Sequence, residues 1–248
     1  MFIIKRLSES ALTVNEIGGD HINSDNALLC YVPLVDFLGN VLGKHCEVVL
    51  HDVSSIENSI LAIKNSHVSG RKVGGSLTDL ALKILKEGSD LEKDFLINYS
   101  GKTKDGEILR SSTFLIKNDE GNVIGMLCIN IDIRKIQETQ NLLNQVIEGI
   151  FGESATTFNQ GHTKIEAPKE PIEDLHTSIE DLTTSIIERT LSEIDIQPDR
   201  MSSEEKMKVV QKLSERGVFL IKGAVVKVAH YLETSEATIY RYLSKAQV

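Results

Sequence analysis

The chain has 248 residues, of which 41% are hydrophobic and 25% charged, with a net charge of −9. This is the make-up of a globular protein with room for two modest domains, and it excludes disordered and fibrous classes. No apolar run approaches the roughly 20 residues of a membrane span, and the opening residues MFIIKR lack a signal peptide's apolar core. A cytoplasmic protein with no membrane partner is expected.

Residues 1–25 show no sustained period and read as an irregular arm. From Asn26, the positions Leu28, Val32, Val35, Leu38 and Leu42 recur at helical spacing and Gly43 supplies a stop. Pro33 either bends that helix or marks the first turn of a second one. Two short β-rich runs, residues 47–51 and 59–63, suggest a hairpin. Ser76 then caps a helix carrying Leu77, Leu80, Ala81, Ile84 and Leu85 and ending at Gly88. Strands follow over residues 95–103, 108–118 and 123–133, joined by the tight turns Lys104-Asp105-Gly106 and Asn118-Asp119-Glu120-Gly121. The fold class is α+β, a five-stranded antiparallel sheet with helices on one face.

Residues 132–151 read as a helix with Ile136, Leu143, Val146 and Ile150 near heptad spacing. Residues 152–171 are polar, carry Gly and Pro, and read as a linker. Ile172, Leu175, Ile179, Leu182 and Ile186 then form a narrow apolar seam. Such a seam suits a helix that packs on its own copy or within the monomer. The cysteines Cys30, Cys46 and Cys128 are odd in number and lack CxxC spacing, so they read as small hydrophobes rather than as a metal or disulfide framework.

The C-terminal segment is richest in signal. Ser202 and Glu205 have capping-box spacing and open a helix that Gly217 ends. Helices over residues 222–232 and 236–243 follow, only about three residues apart, as a helix-turn-helix requires. Val228, Ala229, Leu232, Ile239, Tyr242 and Leu243 face inward. Ser235 is the expected N-cap, and Glu236, Thr238, Tyr240 and Arg241 lie on or beside the exposed face. Arg241 can reach a guanine edge or a phosphate, Thr238 a base or phosphate, Tyr240 and Lys222 the phosphate backbone. Residues 201–248 hold eight lysines and arginines against five glutamates, a net of +3 that leaves −12 for the first 200 residues. A locally basic tail on an acidic body is compatible with DNA binding. Glu233 occupies a turn position that favours glycine, where a left-handed backbone costs roughly 1–2 kcal/mol. From spacing alone, a plain three-helix packing module is the rival.

The string GVFLIKGAVVKVAHYLETSEATIYRYL resembles the DNA-binding module of the YheO-like (DauR-type) family of bacterial regulators. EVVLHDVSSIENSILAIKNSHVSGRKVGGSLTDLAL and NYSGKTKDGEILRSSTFLIKNDEGNVIGMLCINIDI resemble its PAS-like domain. The resemblance implies a PAS-like sensor over residues 26–135, signalling or dimerisation helices and linker over 136–199, and a helix-turn-helix domain over 200–248. It further implies a DNA-binding transcriptional regulator, a homo-oligomer on a palindromic double-stranded operator, and a small-molecule effector. Asp132-Ile133-Arg134 sits where such a sensor hands over to its signalling helix. Asn65, Arg71, Asn98, Ser112 and Asn130 are the candidate effector contacts, Arg71 for an anionic group, although half-exposed strands alternate polar residues anyway. A PAS-like interaction module without sequence-specific DNA binding is the alternative. His45-Cys46 and His51-Asp52 match no zinc or nucleophile pattern, so no catalytic residue, metal or cofactor is expected.

Overall fold

A computed structural model describes residues 24–87, 93–151, 173–176, 178–194 and 196–246. The linker expected over 152–171, Ile172, Gly88 and nearly all of the arm lie outside the described residues.

The chain opens with helices α1 (Ser24–Leu29) and α2 (Val32–Leu42). Pro33 stands in the first turn of α2, where the missing N–H removes no helical bond. Strands β1 (Cys46–Asp52) and β2 (Ile60–Lys64) form the expected antiparallel hairpin. Helix α3 (Asp79–Glu87) starts later than its apolar pattern suggests. Its capping hydroxyl is that of Thr78, which accepts from Ala81 N–H at 3.2 Å, not that of Ser76. Strands β3 (Phe95–Thr103), β4 (Ile108–Lys117) and β5 (Val123–Asp132) match their expected ranges within a residue.

The strand order is β2-β1-β5-β4-β3-β6, with β6 (Glu173–Leu175) as a sixth strand that the sequence does not announce. It lies parallel to β3, whereas every other pairing is antiparallel. Helices cover both faces rather than one. Val48 and Leu50 pack with Leu28 and Val35 of α1 and α2, while Val49, Met126 and Cys128 pack with Leu77, Leu80 and Ile84 about α3. A continuous run such as Val48-Val49-Leu50 is the signature of a strand buried on both faces.

Helix α4 (Arg134–Phe151) leaves the sheet at Asp132, whose carboxylate caps Arg134 N–H at 3.0 Å and holds the Arg134 guanidinium at 2.9 and 2.6 Å. Ile136, Leu142, Leu143, Val146 and Ile150 are all exposed along it. Four further helices, α5 (Ile179–Ser192), α6 (Ser203–Glu215), α7 (Ala224–Tyr231) and α8 (Glu236–Ala246), form a second unit. Its core holds Leu182, Ile186, Ile187, Val209, Leu213, Val228, Leu232 and Ile239. Of the two readings of the second apolar seam, packing within the monomer holds for Leu182 and Ile186, which are buried in their own chain, whereas Leu175 is in a strand and not on that helix. Leu82 of α3 also inserts into that core, so the two units share an apolar joint. Beside it, Arg189 of α5 bridges Asp79 at 3.1 Å and Asp174 at 3.2 Å.

Candidate nucleic-acid interface and sensor core

The end of α6 and the pair α7–α8 hold the candidate interface residues. Ser202 and Glu205 form the expected capping box, with Ser202 N–H donating to Oε2 of Glu205 at 2.7 Å. The chain then turns through Gly217 and a single 3-10 turn. Helix α7 begins at Ala224, after Gly223, so Lys222 is an exposed loop residue and not the first residue of the helix. No side chain caps the α7 N-terminus: Ala224 N–H donates to the Ile221 carbonyl at 3.2 Å, and the N–H groups that follow it have no side-chain acceptor. Sequence reasoning overlooked that feature; the Lys222-Gly223 pair was its only trace.

The turn between α7 and α8 uses the left-handed backbone at Glu233, with φ +47°. Thr234 N–H donates to the Ala229 carbonyl at 3.0 Å and Lys206 Nζ donates to the Leu232 carbonyl at 2.7 Å. These bonds satisfy carbonyls at the end of α7 and offset the strain. Replacing Glu233 with glycine removes a left-handed penalty of about 1–2 kcal/mol but frees the unfolded chain by about 0.4–1 kcal/mol. A net gain near 0.5–1 kcal/mol is expected, read as a raised Tm.

Ser235 caps α8: its hydroxyl oxygen accepts from Thr238 N–H at 3.2 Å and lies 3.0 Å from Thr238 Oγ1. Thr238 is half-buried at the turn, and Glu236 is exposed in the first turn of α8. Ile239 and Tyr242 are buried, whereas Tyr240 is 57% exposed. Arg241 is exposed, with its guanidinium carbon 5.5 Å from the Tyr242 ring centroid. A cation over an aromatic face is held in place yet keeps its outer N–H groups free. Lys245, four residues on and exposed, shares the Arg241 face, a candidate that i,i+4 spacing points to. Lys227 does not join them, because its Nζ donates to the Glu180 carbonyl at 2.9 Å.

The effector candidates divide into two sets. Asn65 takes a left-handed backbone, φ +58°, and its amide donates to the carbonyls of Gly39, Gly43 and Cys46 at 3.0, 3.1 and 2.7 Å. Every donor it has is engaged in tying α2 to β1. Asn98 and Ser112 lie toward the outer face of β3 and β4, where Asn98 N–H donates to Ser112 Oγ at 3.1 Å and Asn98 Oδ1 accepts from Arg110 at 2.9 Å. Arg71 and Asn130, by contrast, meet in a buried polar cluster on the α3 side of the sheet.

In that cluster Asn130 accepts from Ser111 at 2.9 Å and donates to Glu47 Oε1 at 2.9 Å, while Ser69 donates to Glu47 Oε2 at 2.5 Å. Burial still pushes the Glu47 carboxyl up. Arg71 donates to the Ser76 carbonyl at 2.6 Å and stands 3.5 Å from His51 Nε2. Burial, and then the Arg71 charge, hold His51 well below the ordinary histidine range, so it is neutral. His51 Nδ1 lies 2.8 Å from Ser59 Oγ across the hairpin, and Asp52 accepts from Ser54 N–H at 2.8 Å. Sequence reasoning missed Glu47, Ser69 and Glu173, because a lone glutamate in or near a strand looks like one more solvent-facing residue.

A YheO-like PAS-domain family model matches residues 22–148, and a helix-turn-helix domain model matches residues 182–244. The chain is 31% identical to the YheO protein of Escherichia coli K12 over 87% of its own length and 83% of the relative. It is 30% identical to a Haemophilus influenzae protein over 89% and 92% of the two chains. The transcriptional regulator DauR of Pseudomonas aeruginosa is similar at 25% identity, over 90% and 96%.

Proposed function

The chain belongs to the YheO-like PAS-domain family, and on that premise we propose how its two units divide the work of a DNA-binding transcriptional regulator. Helix α8 enters the major groove with Arg241 and Tyr240 outward, Thr238 and Glu236 at its leading end, and Ser235 holding that end in shape. Lys222 and the open N-terminus of α7 meet the phosphate backbone, and Lys245 extends the contact. The carrying observation is the split on one helix: Ile239 and Tyr242 are buried while Tyr240 and Arg241 point to solvent. A helix serving only as packing gains nothing from an exposed tyrosine beside an aromatic-braced arginine.

Helix α4 supports a homodimer. Its 18 residues bury no apolar side chain in their own chain, among those described. An unsupported helix of that length is marginal in water, and its apolar row fits a second copy of itself. Two such heads, related by a two-fold axis, present two α8 helices to successive major-groove faces about 34–36 Å apart.

Arg241→Ala tests the α8 assignment. Measured against salt, a lost phosphate contact flattens the slope of log affinity by about one unit, whereas a lost base contact relaxes sequence preference by about 1–3 kcal/mol. Unchanged affinity, slope and preference together reject the assignment.

A further inference from the structure

Strand β6 is joined to the sheet by three residues, Gly101 pairing with Glu173, Lys102 with Asp174 and Thr103 with Leu175. Period-two alternation sends Glu173 and Leu175 inward and leaves Asp174 outside. Leu175 packs with Val68 and Leu109, an ordinary use of an inward position. Glu173 makes a different use of it. Its carboxylate is 4% exposed, in the polar cluster with Thr78, Tyr99 and Arg71.

Donors and acceptors there do not match. Arg71 Nε and Ser76 Oγ are buried without a partner, and so is Oε2 of Glu173. Glu173, held by the register of β6, leaves Oε2 and Arg71 Nε unmet, whereas a free carboxylate is not bound to that register and can turn both oxygens toward the guanidinium's fixed fork of N–H groups. Glu173 is also the less supported of the two buried carboxylates. Both oxygens of Glu47 accept, from Ser69 and Asn130, whereas Glu173 is met by Thr78 and Tyr99 but leaves Oε2 without a partner, and burial pushes its carboxyl up to about 6.

We propose that the sensor core binds a small carboxylate, and that the Glu173 side chain is a chain-borne stand-in which this ligand displaces. The inference rests on reading the sheet unit as a sensor, and it supplies both the ligand class and the route of the signal. Asp174 N–H donates to Asp79 Oδ1 at 2.8 Å, and Arg189 clamps both carboxylates from α5. Ejecting Glu173 withdraws Asp174 from that clamp. Helix α5, which starts at Ile179 and buries Leu182 and Ile186 in the DNA-binding unit, then loses its tie to β6 and keeps those from Lys104 to Asp181 and from Arg189 to Asp79.

Propionate, the glutamate side chain cut free, is the probe, and propionamide is its neutral control. Glu173→Ala vacates the place of the carboxylate, so propionate at millimolar concentration should raise the Tm of this variant saturably, with propionamide inert. Adding Arg71→Met should abolish the response. In the wild-type full chain, propionate should act only at concentrations at least tenfold higher, because it competes with Glu173, and should speed amide exchange in residues 173–175. A folded Glu173→Ala variant that ignores propionate, or responds equally to propionamide, overturns the proposal. If that variant does not fold, unchanged exchange at residues 173–175 of the wild type overturns it. Operator binding is measured separately: propionate binding without any DNA binding keeps the site and rejects the regulator reading, and the converse keeps the regulator and rejects the site.

Discussion

Replacing Gly217 with alanine is expected to cost about 2–5 kcal/mol, from a left-handed backbone penalty of about 1–2 and an overpacking penalty of about 1–3. Gly217 has φ +74°, and a Cβ there would lie 2.6 Å from the Leu82 carbonyl oxygen and 3.0 Å from its carbonyl carbon. The obstructing atoms belong to the backbone of α3, which cannot step aside as the end of a flexible side chain does. The glycine that ends α6 is therefore also the point where α3 of the PAS-like unit approaches the DNA-binding unit, with Leu82 inserted into the neighbouring core. For a chain of this size each kcal/mol moves the Tm by about 2–4 °C, so a fall of roughly 4–20 °C should be seen. A calorimetric Tm within about one degree of wild type would show that the joint opens freely and that Leu82 does not couple the units.

The joint explains which parts of this protein were legible in its sequence. Strands β3, β4 and β5 were readable to within a residue because each is a β-rich run bounded on at least one side by the turn at Gly106 or Gly121, a local signal. The α6 cap was readable because Ser202 and Glu205 satisfy each other across three residues. The left-handed strain at Glu233 was readable because turn geometry, and not residue preference, dictates it. Strand β6 was not. Glu173-Asp174-Leu175 has too few residues to show a period, and its partner β3 lies about 70 positions earlier, so the pairing is a long-range fact.

The apolar seam of α5 left two readings open for another reason. A helix face buried within its own chain and a coiled-coil seam have nearly the same spacing of three and four, so Leu182 and Ile186 could not declare which core they join. The buried polar cluster of the sheet was half legible. Arg71 and Asn130 were singled out as polar residues in or beside strands, but their value comes from burial beside Glu47 and Glu173, and burial is a property of the assembled sheet. Asn65 shows the opposite error: a polar residue whose donors are all consumed by the backbone it braces.

Ile239→Ala separates seating of the recognition helix from its contacts. Ile239 is wholly buried between α8 and the helices beneath it. Truncating it should cost about 2–5 kcal/mol through lost burial and the cavity left behind. An 11-residue helix does not hold its shape alone in water, so the weakened seat raises the population in which α8 has come away from α6 and α7. Such local opening costs less than unfolding the whole chain, and operator affinity should therefore fall even where the sheet unit stays folded. Because isoleucine carries no charge, the molecules that do bind should keep the wild-type salt slope. Arg241→Ala should do the reverse, keeping the Tm while changing slope or preference. If Ile239→Ala instead retained both Tm and affinity, α8 would be held by something other than its apolar face, and Tyr240 and Arg241 would not be aimed by Ile239 and Tyr242 behind them.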